Sequence, residues 1–350
     1  MTEKKHRNIP VFVVHEGCPH ACVFCDQKTI TQTVSLSAEE HYKRITSSFS
    51  PSDEYSTQIA FFGGSFTAID RDRMISLLEM GKRLISEGYA ESIRLSTRPD
   101  AVGDKIIEIL KKYPVKSVEL GIQSMSDKVL SATERGHDAA CSESAMRRVK
   151  AAGFELTGQM MTALPLSSPE DEIMTAEAIS RCGADCARIY PTVVLPGTEL
   201  SRMEARGEYV PSTLEETVSR VCGAYGVFTK NRVRVLRVGL CANEDVHRGE
   251  NDAGDRYHEA IGELVLSELA KRRMDALLSE KLSEKGALDG LTAIFFTDEK
   301  SVSRASGYRR ANKTFLKQKY RLRDIKIQTT GEEIIVPENF GIAGVQILCG

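Results

Sequence analysis

The chain has 350 residues, 27% charged and 41% hydrophobic, with a formal net charge of −2. These are ordinary globular values, and the length suffices for a barrel-sized core plus a smaller unit. The near-neutral balance excludes a global pull toward nucleic acid or an acidic membrane, so any basic surface must be local. No apolar run approaches membrane-spanning length, and the opening Met1-Thr-Glu-Lys-Lys-His-Arg lacks the apolar region of a signal peptide. Nine cysteines, an odd number without an export signal, fit a reducing compartment, and a cytoplasmic protein is expected.

Short apolar runs alternate with longer amphipathic stretches, which predicts repeated β-α units and a parallel sheet. Strands are expected at 10–15, 57–62, 92–96, 117–121, 155–161 and 187–190, with helices at 38–48, 72–87, 103–112, 142–152 and 169–182. Six such units make an α/β fold, a partial (β/α)6 TIM-like barrel, with active-site residues at the C-terminal strand ends.

The first strand runs into Cys18-Pro-His-Ala-Cys22-Val-Phe-Cys25. A C-x3-C-x2-C spacing lets one tight loop aim three thiolates at three irons of a cubane cluster, leaving the fourth iron open for chemistry. The alternative is a structural zinc site, with His15 or His20 completing a Cys3His set, in a non-enzymatic or redox-sensing protein. After the second strand comes Gly63-Gly64-Ser65-Phe66-Thr67, where paired glycines let the backbone approach a ligand or simply turn. Leu95-Ser-Thr-Arg98-Pro99-Asp100 follows the third strand, Glu119-Leu-Gly-Ile-Gln123-Ser124 ends the fourth, and Arg135-Gly136-His137 follows. Met160-Met-Thr-Ala-Leu164-Pro165 and Arg188-Ile-Tyr190-Pro191-Thr192 close the fifth and sixth.

With Phe24 just before the third cysteine, this series resembles the radical S-adenosylmethionine (SAM) superfamily. From about residue 8 to about residue 238 it is similar to the radical SAM domain of the Elongator catalytic subunit, which modifies wobble uridines in transfer RNA. More loosely it resembles oxygen-independent coproporphyrinogen oxidase. The resemblance implies Cys18, Cys22 and Cys25 as ligands of a 4Fe-4S cluster, and Gly63, Gly64 and Ser65 as contacts to the methionine portion of SAM. It further implies Phe24 beside the cofactors, and Arg98 and Gln123 near the SAM ribose or carboxylate. The expected chemistry is reductive cleavage of SAM to a 5′-deoxyadenosyl radical, with an electron donor such as flavodoxin or ferredoxin. His137 reads as a loop or capping residue, and Tyr190 as a substrate-facing or packing aromatic.

Departures from the Elongator pattern limit the inference. Its cysteine spacing is longer between the first two ligands, Ser96 stands where a glutamate is expected, and Arg188 stands where that family has lysine. About eight residues precede the first strand, so its basic N-terminal segment is not expected, nor is an acetyltransferase domain.

A polar stretch at 241–255 reads as a boundary between a barrel at 1–240 and a C-terminal α+β extension at 241–350. An amphipathic helix is expected over 256–281 and a strand over 291–296. Between Arg304 and Lys326, nine cations (Arg304, Arg309, Arg310, Lys313, Lys317, Lys319, Arg321, Arg323 and Lys326) accompany only Asp324. That excess makes RNA a candidate partner beside the alternative of a small metabolite. Cys182 and Cys186, with Cys222, Cys241 or Cys349, could form a second cluster, but ordinary buried thiols are the simpler expectation.

Overall fold

The computed structural model describes residues 4–13, 18, 21–25, 36–52, 54–240, 257–331, 334 and 337–348. His15, His20, Cys241, Cys349 and the stretch at 241–255 lie outside the described residues.

Seven strands form one parallel sheet in chain order: β1 (Lys5–Phe12), β2 (Tyr55–Phe62), β3 (Ser92–Thr97), β4 (Val115–Gln123), β5 (Glu155–Thr162), β6 (Cys186–Pro191) and β7 (Arg234–Val238). The result is a curled, open half-barrel, with one strand more than the six-unit reading. β7, Arg-Val-Leu-Arg-Val, is half-exposed along most of its length and interrupted by arginines, so it lacks the continuous apolar signal of a buried parallel strand. The first strand also begins earlier than expected, at Lys5.

Strand alternation divides the sheet into two unlike faces. Ile59, Phe61, Ile93, Leu95, Val118, Leu120, Leu156, Ala187 and Ile189 are fully buried in the core between sheet and helices. The helices start where local chemistry supplies caps. Ser37 and Glu40 form a capping box on α1 (Ala38–Ser48), and Asp70 caps α2 (Arg71–Ser86). α3 (Asp104–Leu110), α4 (Asp127–Ala132) and α5 (Ala139–Ala151) follow, then α6 (Pro169–Arg181), which opens with a Ser168–Asp171 capping box and Pro169 in its first turn. α6 packs so closely that a Cβ on Gly158 would lie 2.6 Å from Ile179, so β5 needs glycine there. α7 (Glu199–Ala205) and α8 (Leu214–Lys230) complete the outer layer; neither is among the expected helices, although α8 opens with a Thr213–Glu216 capping box.

The alternate positions carry Gln58, Arg94, Glu119, Thr157, Gln159 and Arg188, which meet one another inside the barrel. A lumen lined by charge and amide is costly unless every group is paired or meets a ligand.

The extension is a sheet in the order β10 (Ile342–Leu348), β8 (Thr292–Thr297), β9 (Asp324–Thr329), with α10 (Val302–Ser306) and α11 (Ala311–Lys319). Helix α9 (Ile261–Lys285) serves both cores: Ile261, Val265 and Leu269 pack with the barrel, while Ala270, Met274 and Leu278 pack with Phe295, Leu316 and Ile325. Among the described residues no helix is long and apolar enough to cross a membrane.

Candidate active site

The cysteine loop leaves the C-terminal end of β1 and is pinned by its backbone. Val23 N–H donates to Thr133 O at 3.3 Å, Leu200 N–H donates to Val23 O at 2.7 Å, and Cys25 N–H donates to Cys22 O at 2.9 Å. Val23, Leu200 and Tyr209 form a small apolar cluster against which Phe24 packs. Phe24 thus anchors the loop through packing.

Charge converges on the loop from β3 and the segment after α4. Arg98 and Arg135 are 4% and 6% exposed, and both turn a guanidinium to the Cys22 sulfur, at 3.9 and 3.3 Å. Arg98 is held by Asp100 at 2.9 Å and by the backbone carbonyl of Arg135. Arg135 also donates to Gly121 O at 2.6 Å. Burial opposes ionisation of Asp100, but the Arg98 hydrogen bond and charge outweigh it and hold the carboxyl below its ordinary range. Sequence reasoning singled out Arg98 but not Arg135; its cue was only its place before Gly136-His137. His137 contacts Arg135 at 3.4 Å, and burial, followed by the Arg135 charge, lowers its pKa to about 4. It is therefore a neutral packing residue near pH 7.

From β2, Ser65 is 2% exposed, with its hydroxyl 3.4 Å from the Cys18 sulfur. Gly63 has φ +99°, and a Cβ there would stand 3.4 Å from Val13 O, so any side chain would be strained. Gln123 ends β4 at φ +65°, an uncommon conformation for a non-glycine residue. Around Gly121 the side chains of Gln123, Arg135 and Gln159 lie 3.1, 3.5 and 3.7 Å from where a Cβ would sit.

Below them runs a buried charge network. Arg94 pairs with Glu155 at 2.9 Å and approaches Glu119 at 3.7 Å, while Arg188 pairs with Glu119 at 3.0 Å and Gln159 donates to the same carboxylate. Arg188 also lies 6.0 Å from the centre of the Phe62 ring, spanning the lumen from β6 to β2. Glu119 is 1% exposed.

Satisfied interiors leave few buried polar atoms unpaired. Among the described residues Ser96 Oγ, Glu119 Oε2, Gln123 Oε1, Arg135 Nε, Thr162 Oγ1 and Arg188 Nε are buried without an aligned hydrogen-bond partner and belong to β3–β6 or to the segment beside the loop, while others, on Arg7 and Arg273, lie outside that group. Two surface cavities, about 300 and 750 Å3, share Asp100 in their walls, but neither is lined by Cys18, Cys22 or Cys25. The orphaned atoms at the mouth, together with the two arginines at Cys22, mark the candidate site.

This donor set suits a multinuclear cluster with a polar ligand beside it. Two buried cations at Cys22 offset the negative charge that ligating thiolates carry. Among the described residues no three His, Cys, Asp or Glu side chains are grouped to hold a metal ion, Cys18, Cys22 and Cys25 included, and His15 and His20 lie outside the described residues. Burial raises the Cys182 and Cys186 thiols above their ordinary range and pushes Cys222 up to about 12, which makes them inert.

The basic stretch is less free than its sequence suggests. Arg304 pairs with Glu263 at 2.9 Å, Lys319 with Asp275 at 2.7 Å and Arg321 with Asp289 at 3.6 Å. The acids come from α9 and the loop after it, where counting within 304–326 could not see them. Arg309, Arg310, Lys317 and Lys326 remain exposed, beside Tyr308 at 71% and Phe315 at 47% exposure.

A parallel half-barrel with a three-cysteine loop and a polar, partly unsatisfied mouth defines a cofactor-dependent α/β enzyme. Residues 12–179 match the radical SAM superfamily, and residues 184–271 match the radical SAM C-terminal domain; the chain belongs to this superfamily. It is an enzyme whose core chemistry is cleavage of SAM through an iron-sulfur cluster, and membership implies use of both cofactors. An uncharacterized protein of Methanocaldococcus jannaschii is 28% identical over 221 residues, covering 59% of this chain and 67% of that one. A tRNA uridine(34) acetyltransferase of the same organism is 33% identical over 156 residues, 44% of this chain but only 29% of the relative. The solved archaeal Methanocaldococcus infernus Elp3 lacking its N-terminus shares the fold, with a TM-score of 0.56 at 20% identity over 77% of this chain and 64% of that chain. The radical SAM domain thus closely resembles that of Elongator.

Proposed function

We propose that Cys18, Cys22 and Cys25 hold a 4Fe-4S cluster with one iron free for SAM, that Gly63, Gly64, Ser65, Arg98 and Gln123 hold SAM, and that the substrate is an RNA. The observation that carries the cofactor reading is the pair of buried guanidiniums, Arg98 and Arg135, facing the Cys22 sulfur beside the orphaned atoms of Gln123 and Ser96. When bound, the cluster and SAM supply reductive cleavage of SAM to a 5′-deoxyadenosyl radical, with electrons from a flavodoxin or ferredoxin. The chain's own part is positioning. Ser65 steadies Cys18, Gly63 leaves the backbone bare for a close approach, and Arg98 and Arg135 offer cations to a carboxylate next to the cluster. The apolar seal of Val23, Phe24, Leu200 and Tyr209 keeps water from the loop. Cys22→Ala should abolish both iron-sulfur absorption and 5′-deoxyadenosine formation; retention of both would overturn the ligand assignment.

RNA is supported by the likeness to the tRNA uridine(34) acetyltransferase and by the face of Tyr308, Arg309, Arg310, Phe315 and Lys317, where exposed cations sit among exposed aromatics. Such a surface tracks phosphates and stacks bases. This reading takes 1–240 as the barrel domain and 241–350 as the extension that carries that face. Transfer RNA binding should weaken steeply with added salt and be lost in Arg309→Glu/Arg310→Glu/Lys317→Glu, which keeps its iron. No affinity at low salt would favour a small metabolite instead.

A further inference from the structure

The cysteine loop follows β1, on one side of the mouth; the opposite side, at β6 and β7, carries a second and unassigned concentration of positive charge. Arg188 and Arg237 are register partners on adjacent parallel strands. A register shift between Ala187 and Arg188 precedes this pair, and as partners across it the two side chains leave the same face of the sheet with Cβ atoms about 5 Å apart. That face is the lumen, because Arg188 meets Glu119 and the Phe62 ring there. By strand register the same row continues through Gln159 to Gly121, the height at which Gln123 and Arg135 converge.

Among the described residues the acids at this level do not balance the cations. Glu155 is taken by Arg94 at 2.9 Å, and Glu119 serves Arg188 at 3.0 Å while also lying 3.7 Å from Arg94. Among the described residues Arg237 donates to two carbonyl oxygens, Gly239 O at 3.1 Å and Leu240 O at 2.6 Å. Those bonds fix the guanidinium without neutralising it. Like charges side by side on neighbouring strands repel in a low-dielectric setting unless an anion lies between them. Arginine suits this task, because its planar fork binds carboxylate or phosphate oxygens bidentately.

We propose that Arg188 and Arg237 form an oxyanion subsite that orients a carboxylate- or phosphate-bearing group of the substrate across the barrel mouth from the cysteine loop. This rests on the reading of the mouth as the SAM-dependent active site. Glu119 and Gln159 act as positioning residues that aim Arg188. The subsite sets substrate class: an anionic group must enter the barrel itself, apart from any contact on the C-terminal face.

The test uses the full-length, anaerobically reconstituted protein, with inorganic phosphate and acetate as probes at constant ionic strength, followed by titration calorimetry. Iron content and SAM affinity are measured on the same samples. Wild type should show one saturable anion site, weakened at least tenfold in both Arg188→Gln and Arg237→Gln, partly restored in Arg188→Lys, and kept in Arg309→Glu/Arg310→Glu. A preference for phosphate over acetate, or the reverse, tells which source fits. Absence of saturable binding in wild type, or unchanged binding in Arg237→Gln, overturns the subsite. Weakened SAM affinity with unchanged probe binding also overturns it, since the anion would then be the carboxylate of SAM. Loss of iron or SAM binding in wild type instead rejects the underlying cofactor reading.

Discussion

Glu172→Ala should destabilise the protein strongly. Glu172 is 2% exposed and anchors the loop between β5 and α6. It accepts from Ala163 N–H at 2.6 Å and Ser167 Oγ at 3.2 Å, and it receives the Arg220 guanidinium at 2.5–3.1 Å. Arg220 also donates to Ser167 O at 2.8 Å, and Tyr209 OH donates to Ala163 O at 2.7 Å. This bracing matters because Ala163 and Leu166 both hold φ +61°, a conformation that costs free energy for residues with a Cβ. Truncating the carboxylate leaves a largely buried guanidinium without its partner, a loss of ~3–5 kcal/mol by analogy with other broken buried pairs. Glu172→Gln, which keeps an acceptor for Ala163, should lose less. Glu172→Ala/Arg220→Ala should cost well under the sum of the two single changes, because neither partner is then stranded. Urea unfolding of the apo protein reads all four variants. A loss below ~1 kcal/mol for Glu172→Ala, or strict additivity, would refute the bracing argument.

Three further outcomes are expected. Gly64→Val should raise the SAM dissociation constant at least tenfold with iron content intact, because a β-branched side chain would stand where the backbone must approach a ligand; unchanged affinity makes the segment a plain turn. Gly63→Ala should cost ~1 kcal/mol or more of stability from its φ of +99° alone, read by urea unfolding, and a neutral result would contradict the strain. His137 is lowered from 6.5 to about 4 by burial, then Arg135, with Arg98 adding to the shift and Asp100 and the Asp138 backbone opposing it. Between those values the unfolded state holds the proton and the native state does not, so stability is full above the unfolded value and falls with pH. Allowing for the imidazole's partial exposure, wild type should lose ~1 kcal/mol more than His137→Gln between about pH 7 and 5; equal slopes would contradict this.

Much of this was legible because barrel strands and cofactor loops write local signals. The strand at 57–62 carries the apolar run Ile59–Phe62 and that at 92–96 alternates Ile93 and Leu95 with polar residues, and the structure gives β2 (Tyr55–Phe62) and β3 (Ser92–Thr97). The cysteine spacing and the Gly-Gly after β2 are equally local. What escaped is nonlocal. β7 is held by pairing to β6 rather than by its own hydrophobicity, and α7 is only seven residues long. Arg135 reaches Cys22 across 113 positions, so nothing near either residue announces the contact. The lumen network of Arg94, Glu119 and Arg188 is likewise assembled only when β3, β4 and β6 close around one interior. The basic stretch errs in the other direction: its partners Glu263, Asp275 and Asp289 are supplied by an earlier helix and loop.

The most direct test of the cofactor assignment is the electron paramagnetic resonance spectrum of the anaerobically reconstituted, reduced protein, recorded with and without SAM. If Cys18, Cys22 and Cys25 hold a 4Fe-4S cluster whose remaining iron is left to SAM, a reduced-cluster signal should be present and should shift on adding SAM. Stoichiometric zinc with no cluster signal, or a cluster signal indifferent to saturating SAM, would contradict the account.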